Sequence, residues 1–180
     1  MYENRINQVI QKLDEHNLDS LYVTNITNVR YLSGFTGSAG SMLISKEKSY
    51  FFTDGRYTEQ VKNQVQNSQI FITGSIHIKE IYIQKIIKNN SRVGFEANNV
   101  SYSLHRCFVE QFPNTTWIST ENIVELIAAV KDINEIEALK TAIQITAKVF
   151  DEILTLLAPG VSESKIAATI SYKFKEYGAD

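Results

Sequence analysis

SMLISKEKSYFFTDGRY, residues 41–57, holds two short apolar runs, a charged turn between them and a cap signal at the end. Met42-Leu43-Ile44 and Tyr50-Phe51-Phe52 have the length of strands, and Lys46-Glu47-Lys48 belongs in water, so the pair reads as a β-hairpin. Thr53-Asp54-Gly55 then opens a helix, because the Asp54 carboxylate can accept from the free N–H groups of a first turn. Tyr57, Val61 and Val65 follow as the apolar face of that helix.

The same alternation extends in both directions. Upstream, Ile6, Val9, Ile10 and Leu13 recur at helical spacing among Asn, Gln, Lys and Asp, predicting an amphipathic helix that ends near His16-Asn17. Leu21-Tyr22-Val23 is a short buried strand, and Asn28 to Leu32 one or two helical turns, broken by the glycine-bearing loop Ser33–Gly40. Downstream, strands are predicted at Ile70–Ile72, Val93–Phe95 and Thr116–Ile118. Helices are predicted at Ile78–Lys88 (core face Ile81, Ile86, Ile87), Ser103–Phe112 and Asn122–Val130. Strands alternating with helices, plus one hairpin, imply an α/β sandwich with a mixed sheet flanked by helices.

The pattern changes at Lys131. Strand signals vanish, and Asp132 with Glu135 occupies the positions of a capping box. Apolar residues from Ile136 to Leu157 predict one long helix, stopped by Pro159-Gly160. Ser162-Glu163 starts a second helix with Ile166, Ile170 and Phe174 facing inward. The predicted boundary lies near residue 130, giving domains 1–130 and 131–180.

Composition narrows the function classes. Net charge is −2 and the basic residues are scattered, which leaves a nucleic-acid surface unsupported. No apolar run approaches the roughly 20 residues that span a bilayer. A polar N-terminus and a single cysteine, Cys107, are those expected of a cytoplasmic protein without disulfides.

Candidate chemistry is sparse. The Gly34–Gly40 loop lacks both the following Lys of a phosphate loop and the G-x-G-x-x-G spacing, so it reads first as a tight turn. The strand-to-helix junction around Asp54 and Arg56 is a place where an anion could sit, or simply a cap and a surface Arg. His16, His77 and His105 form no H-x-x-x-H or H-E-x-x-H pair, and one Cys gives no C-x-x-C. Glu96 ends its strand without a second carboxylate of predictable proximity, which favours a capping or loop role over general acid–base work.

Five segments in register resemble the aminopeptidase P and prolidase family. Asn28-Val29-Arg30-Tyr31-Leu32-Ser33-Gly34-Phe35-Thr36-Gly37-Ser38 is similar to its N-x-x-Y-L-[ST]-G-F-x-G-S stretch, and Thr53–Tyr57 to its T-D-x-R-Y. Val93-Gly94-Phe95-Glu96 resembles [IV]-G-F-E, and Pro159-Gly160-Val161-Ser162-Glu163 resembles P-G-x-[ST]-E. Lys131 to Ala142 is similar to the helix that opens the family's catalytic domain.

The resemblance implies a creatinase-like N-terminal α/β domain followed by two helices of a truncated pita-bread domain. It implies a parent enzyme cleaving Xaa-Pro peptides with two divalent metal ions, manganese or cobalt, that activate a bridging water. The family's five metal ligands belong to motifs expected beyond Asp180, so this chain is expected to carry no catalytic residue, metal ligand or cofactor and to be inactive alone. Its expected role is in oligomer contacts and in closing a neighbouring subunit's active site through Phe35, Thr36 and Gly37, with Arg56 a further substrate contact. The alternative implied is a non-catalytic peptide- or protein-binding module of the same fold. A dimer is expected, held by the apolar stripe Ile136, Leu139, Ile143, Phe150, Ile153 and Leu157, unless these helices fold back on the N-terminal domain. No nucleic acid or membrane partner is expected.

Overall fold

Neighbouring residues of a strand point to opposite faces of its sheet, and here that alternation serves two separate cores. In the computed structural model, which describes residues 1–74 and 77–179, the chain divides into two compact units, Met1–Ala129 and Val130–Asp180.

The first unit runs α1 (Tyr2–Glu15), β1 (Ser20–Val23), α2 (Ile26–Ser33), β2 (Gly40–Ser45), β3 (Ser49–Asp54), a 3-10 turn (Gly55–Tyr57) and α3 (Thr58–Gln64). It continues with β4 (Gln69–Thr73), α4 (His77–Ile83), β5 (Arg92–Glu96), α5 (Tyr102–Gln111), β6 (Thr116–Thr120) and α6 (Ile123–Ala129). The six strands form one mixed sheet in the order β4-β3-β2-β1-β5-β6. Only β2 runs against its neighbours; β1–β5, β5–β6 and β3–β4 are parallel.

Leu21 and Val23 of β1, Met42 and Ile44 of β2, and Phe51 of β3 join α1, α2, α3 and α6 in one core, around Val9, Leu13, Leu32 and Phe35. The intervening Tyr22, Leu43 and Phe52 face the other way and pack with α4 and α5, around Ile81, Phe108 and Phe112. A hairpin whose residues are apolar on both faces therefore sits in the middle of an α/β/α sandwich, as the 41–57 stretch indicates.

Several boundaries shift for local reasons. α2 starts at Ile26 because the Asn25 side chain accepts from Thr27 N–H at 3.0 Å. The helix predicted to reach Lys88 stops at Ile83: Lys85 turns left-handed (φ 52°), and Lys85 and Ile86 N–H return to the carbonyls of Tyr82 and Ile81. Ile86 and Ile87 still pack on the second core, from the loop. Trp117 is half-buried, its ring 4.8 Å from that of Phe108.

The second unit consists of α7 (Ile133–Leu154) and α8 (Glu163–Glu176). Asp132 accepts from Asn134 and Glu135 N–H, and Glu135 accepts from Asp132 N–H, a reciprocal capping box. Glu152 of α7 accepts from the Tyr177 hydroxyl and pairs with Lys173 at 3.1 Å, tying the two helices. Ile153, expected on the open stripe, is buried with Val149 instead. Ile136, Leu139, Ile143, Phe150 and Leu157 remain exposed. Ile166, Ile170 and Phe174 are only half-buried. Among the described residues no helix is long and apolar enough to cross a membrane.

Candidate functional site

The loop after α2 and the turn after β3 meet where β2 begins and β3 ends, at one end of two interior strands of the sheet. α2 is capped by Gly34, whose backbone is left-handed (φ 77°) and whose missing Cβ would stand 2.5 Å from the Tyr2 ring. The chain then drops Phe35 into the core, edge-on to Phe51 (5.0 Å) and Tyr57 (5.4 Å). Gly37 lies flat over that ring; a Cβ there would come within 2.3 Å of it. Ser38 turns outward and meets Tyr57, with hydroxyl to hydroxyl 2.7 Å. Thr36 is exposed and clamped by α3: its N–H donates to Gln64, and its hydroxyl accepts from Gln60 and Gln64 at 2.8 and 2.9 Å.

Arg56 is also at the surface. Its guanidinium donates Nε–H and Nη2–H to the two oxygens of Asp54, at 2.9 and 2.7 Å, and lies over the Tyr57 ring. These bonds hold the Asp54 carboxyl down to about 2. Asp54 also accepts from Arg56 N–H, so one carboxylate caps the turn and fixes the side chain beyond it.

Of the residues predicted to make contacts, Thr36 and Arg56 stand at the surface on one ridge, whereas Phe35 and Gly37 do not. Phe35 is fully buried because its ring closes the core beneath Phe51, and Gly37 is there to let it pack. The surface of the loop is Thr36 and Ser38, so any contact made here falls on polar groups. Sequence reading omitted Ser38, Tyr57, Gln60 and Gln64 from the site. Ser38 and Tyr57 lie within the two quoted motifs, but nothing local signals that the motifs touch.

Glu96 is committed elsewhere. One carboxylate oxygen accepts from Thr24 and Asn25 N–H at 2.6 and 2.7 Å, and the other from Asn28 Nδ2 at 2.7 Å. Asn28 donates its second proton to Glu125. This is a clasp on the end of β1, the capping role expected of it, and not a free base. Of the histidines, His16 follows α1 in the open and His105 packs against Phe95 at 4.9 Å. Among the described residues no three His, Cys, Asp or Glu groups converge as a metal ion requires.

Thr36, Ser38 and Arg56 thus lie on the loops beside two interior strands of a mixed α/β sandwich. The chain belongs to the creatinase/prolidase N-terminal domain family, whose pattern matches residues 5–130. It is 35% identical over 163 residues to the uncharacterized peptidase YqhT of Bacillus subtilis (strain 168), covering 91% of this chain and 46% of that protein. The structure of an Xaa-Pro dipeptidase from Bacillus anthracis superposes with TM-score 0.89 at 31% identity, over 99% of this chain and 50% of the other. The N-terminal domain of cytoplasmic peptidase PepQ from Mycobacterium tuberculosis H37Rv shares the fold (TM-score 0.62, 24% identity, 68% of this chain and 96% of that one). The chain thus spans about half the length of the longer relatives it matches.

Proposed function

We propose that this chain is the N-terminal part of an Xaa-Pro peptidase and supplies subunit contacts and active-site closure, the reaction belonging to a pita-bread domain. The observation that carries this reading is the match to the B. anthracis dipeptidase, which extends through α7 and α8 and does not stop at the family pattern's limit near residue 130. On that reading residues 1–130 are the creatinase-like domain and residues 131–180 open the catalytic one. The parent acts on proline-containing peptides in the cytoplasm with two divalent ions, manganese or cobalt. Thr36 and Arg56 reach a neighbouring subunit or its substrate: the remaining guanidinium N–H groups of Arg56 are suited to a carboxylate or a carbonyl.

The second copy is reached through α7. Ile136, Leu139, Ile143, Phe150 and Leu157 leave an apolar stripe in water. Burying one such side chain is worth roughly 1.5–3 kcal/mol, so several together favour pairing into a dimer.

Capture of the native protein with an antibody raised against this chain tests the activity. Release of proline or of an N-terminal residue from Xaa-Pro peptides, dependent on manganese or cobalt, is expected. No release with either ion would sink the peptidase reading and leave the non-catalytic binding module.

A further inference from the structure

The cleft between α4 and α5 at the carboxyl ends of β1 and β3 holds polar groups that the Thr36–Arg56 ridge does not use. A cavity of about 200 Å³ there is lined by Tyr22, Thr24, Gly40, Ser41, His77, Ile78 and Leu104, with Glu96 held behind Thr24 by hydrogen bonds from its N–H and hydroxyl. Ser41 Oγ lies 2.8 Å from His77 Nδ1, and the Tyr22 hydroxyl 3.2 Å from Ser41 Oγ. Tyr22 and Ser41 are 3% and 2% exposed. The His77 ring lies over Phe52.

The neutral chain of hydrogen bonds can run in either direction. In one neutral tautomer Tyr22 donates to Ser41 and Ser41 to His77 Nδ1; in the other Nδ1–H donates to Ser41 and Ser41 to Tyr22. The Tyr22–Ser41 link is longer than the usual O–H···O separation of about 2.7–2.8 Å and is the more easily opened of the two. Burial pushes the Tyr22 hydroxyl up to about 12 and His77 below its ordinary value, so both are neutral at pH 7. The groups bearing on them are Asp54 of β3, itself tied to Arg56, and Cys107 of α5; Lys79 and Glu80 follow His77 on α4.

We propose that this cleft binds a small carboxylate, taken up together with one proton on His77. With both ring nitrogens protonated, Nδ1–H donates to Ser41, and the Ser41 and Tyr22 hydroxyl protons are free to turn toward the carboxylate. The incoming charge offsets the imidazolium, which a neutral amide of the same shape cannot do. The space suits a small molecule, between acetate and an amino acid in size.

The test is an NMR titration of the His77 ring in the full 180-residue chain with acetate, with acetamide as the neutral control. Saturable shifts with acetate are expected, with affinity rising about tenfold per pH unit fall while the free ring is neutral. Acetamide should leave the ring unmoved. Ser41→Ala and Tyr22→Phe should each weaken acetate on the order of tenfold, with thermal melting showing that each variant is folded. Triglycine with a free or an amidated C-terminus separates the sources: binding of the free form identifies a peptide end, and binding of acetate alone identifies a free metabolite. No saturable shift, an equal response to acetamide, an affinity flat with pH, or undiminished binding in both folded variants would overturn the proposal.

Discussion

The Tyr57 hydroxyl lies 2.7 Å from Ser38 Oγ and 3.2 Å from the Ser38 nitrogen, so one side chain clasps a loop residue nineteen positions earlier. The same ring packs edge-on against Phe35, joining the buried and exposed halves of the Thr36–Arg56 ridge. Tyr57→Phe keeps the ring and removes the clasp. It should cost about 1 kcal/mol of stability in urea unfolding and speed amide exchange at residues 36–39. Unchanged exchange there would mean that the Phe35 anchor alone orders the loop.

Gly37 and Gly55 should respond differently. Gly37→Ala places a methyl against the Phe35 ring and should destabilise by about 1–3 kcal/mol, since the ring has no space to retreat into. Gly55→Ala meets nothing within 4 Å and should stay within about 0.5 kcal/mol of the parent or gain slightly. Equal losses would refute the packing argument for Gly37.

Asp54 carries a pH signature. Its carboxyl is lowered to about 2 by the Arg56 hydrogen bonds, so the pairing stabilises the fold above the unfolded carboxyl's value of about 3.9. That contribution is lost as pH falls from there through about 2. Arg56→Gln should return the Asp54 midpoint in a carboxyl NMR titration toward about 4. A midpoint that stays near 2 would assign the depression to another donor.

Trp117 brings an indole N–H out of water with no hydrogen-bond partner. Trp117→Phe should therefore change stability by less than about 1 kcal/mol, because the lost contacts are offset by the removed orphan donor. Trp117→Ala strips the packing against Phe108 and Phe112 as well and should cost roughly 3 kcal/mol, at the low end for a large aromatic because the ring is half-exposed. Comparable losses in both variants would place the energy in the ring's edge contacts and not in its bulk.

Association should follow α7. Sedimentation of the full chain is expected to show a dimer, and residues 1–129 alone a folded monomer. Ile143→Glu combined with Phe150→Glu should shift the full chain to monomer with its helicity retained. A dimer that survives in both experiments would move the interface to the first unit.

What the sequence determined by itself is whatever depends on neighbours in the chain. Ile6, Val9 and Leu13 share a helix face at any tertiary arrangement, the Asp132–Glu135 box closes within four residues, and the apolar hairpin of residues 41–57 requires a sheet buried on both sides. Tertiary structure alone decided the rest. The burial of Phe35, the clasp of Glu96 on Thr24, and the approach of Ser41 to His77 all join residues on separate elements. Those contacts depend on strand register and order, and a one-residue slip would send each of these strand side chains to the opposite face. Even the end of α4 was hidden, because a lysine in a left-handed turn carries none of the signal that glycine would.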